Sequence, residues 1–415
     1  MAEAAELWRA GAETLAWLIA GAWVWRASDV VKHLPRMPDL RGLEWDRLPE
    51  RGASLTVVVP ARNEEASIAA TLDALLLADY AALKVLVIDD RSTDRTGAIV
   101  DAYVAEAATR VPGRLGVIHI TDLPEGWLGK TFALQVATEN SASEYVLYTD
   151  ADVLFSPSVL RRAMAFAEAE QADHVVVLPT MQVKSWGEGV VLGFFQVLGM
   201  WAARPWRVSD AKAQDTVGVG AFNLVRREAL EELGGWLPQR MAILEDITLG
   251  RRMKLAGMRQ RLAFAPGLVL VHWAAGGFGL VRVMTKNLFS AFNFRPVLLL
   301  GAVLWMVAFF VAPLAELGWW PTLGAGVVVL CSVGALYRVV GRVSAIDARY
   351  GWLYPLGALA FVWAMLRSML AVMWRRGVMW RGTFYPLREL RRHNSQFAWM
   401  RQAAEERRRA MRGGL

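Results

Sequence analysis

Two kinds of hydrophobic pattern divide the chain. Between about residue 55 and residue 266, short apolar runs alternate with stretches in which apolar positions recur at helical spacing. Buried strands separated by helices predict an α/β fold with a largely parallel sheet covered on both faces. The predicted strands are Leu55–Pro60, Lys84–Asp89, Leu115–Ile120, Tyr145–Thr149 and His174–Leu178. The predicted helices are Glu65–Ala78, Thr93–Ala108 and Thr131–Asn140.

Longer apolar runs lie on either side of this region. The first covers about Leu15–Trp25, and three more cover about Val297–Ala315, Pro321–Val340 and Trp352–Trp374. The later three approach the roughly 20 residues that a helix needs to cross a bilayer. We therefore expect four regions: an N-terminal transmembrane anchor over residues 1–30, a catalytic domain over 50–285, a C-terminal membrane region of two or three apolar segments over 296–375, and a basic cytoplasmic tail over 376–415.

The basic residues predict how the chain crosses the membrane. Arg26 and Lys32 follow the first run, which favours an uncleaved anchor over a signal peptide cleaved near Ala20-Gly21-Ala22. The expected location is the inner (plasma) membrane, with several crossings and a cytoplasmic catalytic domain. Arg338 and Arg342 place the loop before the last run on the cytoplasmic side as well. A full third crossing would send the basic tail outward, so the last run either spans, re-enters or lies along the interface.

The segment Val190–Trp206 is apolar and aromatic but lies inside the predicted catalytic domain. Two interpretations stay open. It is either a core helix or an interfacial helix that brings the active site to the bilayer, for which Trp201 and Trp206 are typical residues.

The composition agrees with a globular enzyme that has a few membrane spans. Of the 415 residues 55% are hydrophobic, and the mean hydropathy is +0.29. Cys331 is the only cysteine, which excludes an intramolecular disulfide and a cysteine metal cluster. The net charge of +7 fits a solvated basic tail or contact with anionic lipid headgroups. Nucleic acid is not an expected partner, because no binding motif accompanies the charge.

Acidic residues follow two of the predicted strands, at the edge where parallel sheets bind ligands. The first cluster begins at Asp89-Asp90 and either caps the next helix or accepts hydrogen bonds from a base and a ribose. The second contains Asp150 and Asp152, whose carboxylates repel each other unless a cation compensates. A divalent ion shared with diphosphate oxygens would compensate, and the alternative is a turn capped by an aspartate ahead of Ser156.

A third acidic cluster, Glu245-Asp246, opens the helical stretch Ile247–Ala256. A carboxylate there often only complements the helix dipole. However, this segment is bounded by glycines on both sides, with Gly234-Gly235-Trp236 upstream and Gly257 downstream. The cluster is therefore also a candidate general base for an acceptor hydroxyl.

In their order along the chain these motifs resemble those of the family 2 glycosyltransferases. The resemblance runs from about Leu55 to Pro266. It rests on Val57–Glu64, Val87–Thr96, Thr149–Asp152, Gly218–Arg227, Gly234-Gly235-Trp236 and Glu245-Asp246-Ile247. It implies a GT-A fold, in which a Rossmann-like sheet binds the nucleotide, and an inverting single displacement. Family habit favours a uridine diphosphate donor without excluding guanosine.

The resemblance also implies roles for single residues. Four would hold the nucleoside: Pro60, Arg62, Glu64 and Asp90. Asp150 would contact the ribose and the diphosphate, and Asp152 together with Asp150 would bind Mg²⁺ or Mn²⁺. Asp246 would deprotonate the acceptor, with Glu245 as the second choice for the base.

Two further stretches resemble the branch of this family that acts on hydrophobic acceptors such as carotenoids, hopanoids and ceramide. They are Gly126–Leu134 and Trp380–Tyr385. In the first, Lys130 either approaches phosphate oxygens or is an ordinary solvated lysine. In the second, Arg381 and Tyr385 are expected near the active site. Residues 285–292 do not carry the Q/R-x-x-R-W motif, which weakens assignment to the processive polysaccharide synthases and to the ceramide glucosyltransferases.

The function expected from the sequence is an inverting, metal-dependent transfer of a sugar from a nucleotide-diphosphate sugar to a hydroxyl of a lipid or other hydrophobic acceptor. Two alternatives stay open. A polyprenyl-phosphate glycosyltransferase uses an acceptor that is already ionised and needs no base. A non-catalytic membrane scaffold that binds nucleotide sugars is opposed by the intact carboxylates, because clustered charges destabilise a protein unless a ligand uses them.

Overall fold

The computed structural model describes residues 2–393, and residues 394–415 of the predicted basic tail lie outside the described part. Its strands are β1 (Leu55–Ala61), β2 (Leu83–Asp90), β3 (Leu115–Ile120), β4 (Tyr145–Tyr148), β5 (Val153–Phe155), β6 (His174–Leu178), β7 (Thr180–Met181), β8 (Asn223–Arg226), β9 (Gln260–Phe264), β10 (Val269–Val271), β11 (Gly377–Trp380) and β12 (Thr383–Pro386). Its α-helices are α1 (Ala2–His33), α2 (Ile68–Leu76), α3 (Thr96–Arg110), α4 (Gly129–Glu139), α5 (Val159–Ala169), α6 (Trp186–Ala203), α7 (Arg227–Glu232), α8 (Glu245–Leu255), α9 (Gly276–Ala291), α10 (Pro296–Met306), α11 (Ala312–Glu316), α12 (Leu323–Ser344) and α13 (Tyr354–Arg375).

These elements form two compact units. A sheet unit consists of residues 38–180, 205–272 and 379–393. A helical unit consists of residues 2–37, 181–204 and 273–378. The units therefore divide the chain differently from the domain boundaries expected from the sequence, because two of the segments within 50–285 belong to the helical unit.

The sheet unit is built on seven strands in the order β3-β2-β1-β4-β8-β6-β9. The first four are parallel, and Leu55 at the start of β1 is in register with Leu83 on one side and Tyr145 on the other. β8 runs antiparallel to both of its neighbours, whereas β6 and β9 are parallel to each other. The largely parallel sheet is confirmed, and β8 and β9 are the strands of this sheet that the sequence pattern did not predict.

Burial on both faces explains why the central strands are continuously apolar. Every residue of β1 is buried, and Val57, Val58 and Val59 are fully inaccessible to solvent. Burying one such side chain contributes about 1.5–3 kcal/mol. Val58 belongs to a cluster in which Leu134 of α4 and Met253 of α8 pack against the sheet. This packing fixes the two helices that carry Lys130 and Glu245-Asp246.

The helical unit contains three stretches that are long and apolar enough to cross a membrane. Among the described residues these are Pro296–Glu316, Leu323–Ser344 and Ala348–Arg375, with mean hydropathies of 2.5, 1.9 and 1.8. The helix α1 extends over 32 residues but is not among them, and its first half carries charged residues. The N-terminal anchor therefore stays a prediction, supported by the exposed indoles of Trp17 and Trp25 on α1.

A backbone irregularity in the first of these stretches has a local cause. Pro313 has no N–H, so the carbonyl of Phe309, four residues earlier, loses its helical partner. The helix widens to a π-turn over Val307–Val311, and the indole Nε1 of Trp23 donates to the carbonyl of Phe309 at 2.9 Å. Trp23 is fully buried and packs edge-on against Phe310. These contacts hold α1 within the helical unit.

The aromatic segment Val190–Trp206 is not one helix in the structure, and its residues belong to two different units. The helix α6 ends at Ala203, and Arg204 follows in the left-handed conformation with φ of 43°. The residues up to Arg204 belong to the helical unit, where Phe194 is buried and lies against Phe310. Trp206 belongs to the sheet unit. A single helix through Trp206 was therefore a wrong expectation.

Candidate active site

The carboxylates of the sheet unit lie at one edge because their strands are parallel neighbours. Asp90 ends β2, and Arg62 directly follows β1. Asp150 and Asp152 follow β4, on the other side of β1. The carboxyl ends of parallel strands meet at the same edge of a sheet. The strand-end positions of these four residues are therefore those expected from the sequence.

Asp90 is held in a buried pocket between two arginines. It is 1% exposed, and its Oδ1 lies 2.7 Å from Nε of Arg91, whereas its Oδ2 lies 3.8 Å from Nη1 of Arg62. Oδ2 finds no hydrogen-bond partner among residues 2–393, so it is a buried and unsatisfied acceptor. The neighbouring Asp89 serves a different purpose, because its carboxylate accepts from Nδ1 of His119 at 2.9 Å.

A glycine allows the backbone to approach Asp90. A Cβ on Gly129 would lie 2.3 Å from Oδ2 of Asp90 and 2.7 Å from Nη2 of Arg91. Tyr385 is buried beside the same backbone. The glycine that precedes Lys130 therefore has a steric role beside Asp90 and Arg91.

The loops after β1 and β2 are bonded to each other. The side-chain oxygen of Asn63 accepts from the backbone N–H of Thr93 at 2.7 Å. The backbone N–H of Glu64 donates to Oγ1 of Thr96 at 2.8 Å. Asn63 adopts a positive φ of 55°, a conformation that asparagine tolerates better than most residues. The three side chains of Asn63, Thr93 and Thr96 thus fix the loops that carry Glu64 and Asp90, a role that the sequence did not reveal.

Lys130 bridges two acidic clusters that lie far apart in the sequence. Its Nζ lies 2.6 Å from Oδ1 of Asp150 and 2.6 Å from Oε1 of Glu245. Burial by itself lowers the pKa of Lys130, but the charges of Asp150 and Glu245 outweigh this effect and raise the pKa. The lysine is therefore charged and paired, and the alternative of an ordinary solvated lysine is wrong.

The residues expected to bind a metal carry mutually repelling charges. Burial and then the charges of Asp150 and Glu64 raise the pKa of Asp152 to about 6. A divalent cation would relieve this repulsion. Among residues 2–393, no group of three or more His, Cys, Asp and Glu side chains is arranged to hold a metal. Two carboxylates nevertheless fit Mg²⁺ or Mn²⁺, because such ions in nucleotide sites take their other ligands from phosphate and water.

Two further glycines let the backbone of the loop before β8 lie close to Asp150 and Asp246. A Cβ on Gly220 would lie 2.6 Å from Oδ2 of Asp150. A Cβ on Gly218 would lie 1.9 Å from the backbone oxygen of Asp246. This loop therefore packs against both the strand-end carboxylate and the start of α8, and only glycine permits the approach.

The Glu245-Asp246 pair begins α8, as the sequence indicated. Burial and then the adjacent charge of Glu245 raise the pKa of Asp246, although Lys130 opposes the change. The Oδ1 of Asp246 accepts from the backbone N–H of Ile247 at 2.8 Å. Asp246 is thus a carboxylate with increased basicity, whereas Glu245 is 6% exposed and bound to Lys130.

A small pocket lies beside Glu245 and Asp246. Its lining residues are Lys130, Leu134, Tyr148, Thr149, Gly220, Asn223, Trp236, Glu245 and Asp246. Tyr148 and Trp236 pack edge to face with ring centroids 4.9 Å apart. The pocket therefore has a charged side formed by Lys130, Glu245 and Asp246 and an aromatic side that belongs to the hydrophobic core.

Comparison with known proteins agrees with this arrangement. Residues 56–234 match the family described as glycosyl transferase family 2. These residues form a glycosyltransferase family 2 domain. The glycosyltransferase family 2 domain that the sequence predicted is therefore confirmed over residues 56–234.

A curated relative and a solved structure extend the comparison. The 4,4'-diaponeurosporenoate glycosyltransferase of Staphylococcus aureus (strain MRSA252) is 24% identical over 260 residues, which cover 61% of this chain and 66% of that protein. The mannosyltransferase PcManGT from Pyrobaculum calidifontis, solved with GDP-Man and Mn²⁺, superposes with a TM-score of 0.52 at 20% identity. That match covers 88% of this chain and 99% of PcManGT. The similarity supports the GT-A fold.

Proposed function

We propose that the protein transfers a sugar from a nucleotide-diphosphate sugar to a hydroxyl of a lipid or other hydrophobic acceptor, by an inverting and metal-dependent displacement. The observation that carries the proposal is the double ion pair of Lys130. It joins Asp150, at the end of β4, to Glu245, at the start of α8. The donor-side carboxylates and the candidate base therefore belong to one site.

The nucleoside would bind where β1 and β2 end. Asp90 offers its buried Oδ2 to donors on the base or the ribose. Arg62 and Glu64 lie on the loop that follows β1, and Pro60 lies within β1 beside β2. The bonded loops position these side chains before the nucleotide arrives, which lowers the entropy lost on binding.

The diphosphate would lie near Asp150 and Asp152. These two carboxylates would hold Mg²⁺ or Mn²⁺, which supplies positive charge where the leaving diphosphate becomes more negative. Lys130 supports the same task, because its ammonium already compensates Asp150 at 2.6 Å. PcManGT, a protein of similar fold, was solved with GDP-Man and Mn²⁺, which supports the choice of donor class and metal.

Asp246 is the better of the two candidate bases. Glu245 is buried, and its Oε1 is already paired with the ammonium of Lys130. The raised pKa of Asp246 makes this side chain more basic than an ordinary aspartate, which suits proton removal from a hydroxyl at neutral pH. Direct attack by the deprotonated hydroxyl on the anomeric carbon, with departure of the diphosphate from the opposite face, inverts that carbon.

A second candidate acceptor is an oxygen that is already ionised. The S. aureus relative is named for diaponeurosporenoate, and the ending of that name denotes a carboxylate. Like a polyprenyl phosphate, a carboxylate acceptor would need no base. The conservative change Asp246→Asn separates the two, because a hydroxyl acceptor requires the carboxylate and an ionised acceptor does not.

The protein is proposed to act as a multi-pass protein of the inner (plasma) membrane with a cytoplasmic sheet unit. Three apolar stretches support the membrane location. Arg342 and Arg349 flank the turn between α12 and α13, and cytoplasmic loops carry an excess of such residues. The hydrophobic acceptor would be supplied by the same membrane.

The direct test is a transfer assay with membranes that contain the full chain. Labelled uridine- and guanosine-diphosphate sugars would each be incubated with Mg²⁺ or Mn²⁺ and a lipid extract, and the organic phase would be analysed. The proposal predicts metal-dependent label in the organic phase. Label only in a water-soluble polymer would contradict the hydrophobic acceptor. Binding of nucleotide sugars without transfer or hydrolysis would instead support the non-catalytic scaffold.

A further inference from the structure

The C-terminal segment Trp380–Tyr385 contributes side chains to the donor side of the site. Nη2 of Arg381 lies 3.4 Å from Oε1 of Glu64, on the loop that follows β1. Tyr385 is 6% exposed and lies against the backbone of Gly129, at the start of α4. The segment therefore contacts the loop that carries Glu64 and the start of the helix that carries Lys130, although more than 200 residues separate it from them in the chain.

The turn at the tip of this segment holds Arg381 in an unfavourable backbone conformation. Arg381 and Gly382 have φ values of 45° and 82°. Glycine adopts positive φ freely, whereas a residue with a Cβ does not. The ion pair with Glu64 involves two partly exposed side chains, and such pairs add little stability. Stability therefore does not account for an arginine at this position, and strained residues of this kind concentrate at ligand sites.

The charges around Arg381 point to an anionic ligand. Three guanidinium groups, those of Arg62, Arg91 and Arg381, lie near two carboxylates, those of Asp90 and Glu64. Burial and then the nearby charge of Arg91 lower the pKa of Arg62, and Arg381 adds to this effect. This cluster has one more cation than anion. A bound anion would relieve the repulsion between the arginines.

The identity of that anion follows from the neighbouring residues. Glu64, the partner of Arg381, also interacts electrostatically with Asp152, one of the two residues expected to hold the metal. Arg381 is therefore linked through Arg62 to Asp90, which is expected at the nucleoside, and through Glu64 to Asp152, which is expected at the metal. In a nucleotide-sugar donor the diphosphate occupies the corresponding position between the nucleoside and the sugar.

We propose that Arg381 binds phosphate oxygens of the donor and that Tyr385 anchors the segment that presents it. The inference rests on the proposed function and assigns one more donor-binding residue to it. On donor binding, Arg381 would exchange the 3.4 Å contact with Glu64 for charge-assisted hydrogen bonds to phosphate. Arginine suits this task because its planar guanidinium can bind two phosphate oxygens at once.

The experiment compares nucleotides with nucleosides on the purified full-length protein. Binding of UDP, GDP, uridine and guanosine would be measured calorimetrically for the wild type, Arg381→Ala, Arg381→Lys and Tyr385→Phe. Arg381→Ala is expected to weaken nucleoside diphosphate binding about 10- to 100-fold and to leave nucleoside binding unchanged. Arg381→Lys should restore part of the loss, and Tyr385→Phe should weaken diphosphate binding by a few-fold. The matched control is Arg388→Ala, which removes an exposed arginine seven residues further along.

The outcomes distinguish this inference from the proposed function. Equal affinity of Arg381→Ala and the wild type for the nucleoside diphosphates would overturn the inference and leave the proposed function intact. Equal loss of nucleoside and nucleoside diphosphate binding would also overturn it, because it would indicate a damaged pocket. If the wild type binds neither UDP nor GDP, the proposed function fails, and this inference fails with it.

Discussion

The ammonium of Lys130 lies 2.6 Å from the carboxylate of Glu245, and this ion pair joins the start of α4 to the start of α8. The same ammonium lies 2.6 Å from Asp150. One side chain therefore joins the carboxylate expected at the diphosphate to the helix that carries the candidate base. Because Glu245 is engaged by Lys130, we propose Asp246 as the carboxylate that acts on the acceptor.

Replacing Lys130 with methionine should separate catalysis from metal binding. The change leaves the carboxylates of Asp150, Glu245 and Asp246 without their neighbouring cation. Turnover should fall by about 100-fold or more, because no ammonium would then stabilise the negative charge on the leaving diphosphate. The metal concentration needed for half-maximal activity should not rise, because Asp150 and Asp152 become more attractive to a cation. Turnover and metal titrations of Lys130→Met and Lys130→Arg would test this, and thermal unfolding would confirm that both variants fold. A Lys130→Met enzyme with more than about a tenth of wild-type turnover would contradict the role of Lys130.

The loop glycines should tolerate no side chain. Gly220→Ala places a Cβ 2.6 Å from Oδ2 of Asp150, so the carboxylate must move. In Gly218→Ala the new Cβ would lie 1.9 Å from the backbone oxygen of Asp246. This should be the more damaging change, with a loss of stability of about 1–3 kcal/mol or more. The control is Gly116→Ala on β3, where the new Cβ would meet only a leucine methyl at 3.8 Å. Thermal unfolding and turnover would be measured for all three, and an active Gly220→Ala protein would show that the loop is less tightly packed than described.

The part of the site that lies at the ends of parallel strands could be predicted from the sequence. Continuous apolar runs locate β1, β2 and β4, and the parallel-sheet rule then places Asp90 and Asp150 at one edge. The bridge from Lys130 to Glu245 could not be predicted, because it joins residues 115 positions apart and no local pattern encodes it. β8 was missed because its four residues, Asn223–Arg226, include two polar side chains and give no recognisable period.

His174 should make the sheet unit less stable at acid pH. Its buried ring uses both nitrogens, because Nε2 donates to Asn223 and Nδ1 accepts from Gln260 at 2.8 Å. Burial lowers the pKa of His174 from 6.5 to about 4. Between pH 6.5 and about pH 4, this histidine is therefore protonated in the unfolded chain but neutral in the folded chain. Its contribution to the free energy of unfolding is lost as the pH falls through this range. The loss is on the order of 3 kcal/mol.

The measurement for His174 is a difference between two proteins. The unfolding free energy of the wild type and of His174→Gln would be followed between pH 7.5 and pH 4.5. Carboxylates with raised pKa, such as Asp152, act in the opposite direction, because the folded state binds their protons first. They contribute equally to both proteins and cancel in the difference. A difference that does not change across this pH range would contradict the prediction.

The single cysteine reports on the membrane topology. Cys331 is exposed and lies within α12, one of the three apolar stretches. In intact membranes it should resist a membrane-impermeant maleimide, because lipid would surround it and a charged reagent does not enter the hydrocarbon core. A Cys331→Ser, Arg349→Cys protein should react from the cytoplasmic side only. Labelling of Cys331 in intact membranes, or of the Arg349→Cys protein from the outside, would contradict the proposed topology.

The central claim, transfer to a hydroxyl acceptor assisted by a carboxylate base, is tested most directly by the Asp246→Asn enzyme. Turnover of the labelled donor into the organic phase would be compared with that of the wild type at saturating metal, across a range of pH. Burial and the charge of Glu245 raise the pKa of Asp246. As the pH is lowered, wild-type turnover should therefore begin to fall while the pH is still well above the ordinary aspartate pKa of 3.8. Asp246→Asn should lose at least about 100-fold in turnover at every pH while still binding nucleoside diphosphate. Near-wild-type turnover of Asp246→Asn would contradict the claim and would identify the acceptor as an oxygen that is already ionised.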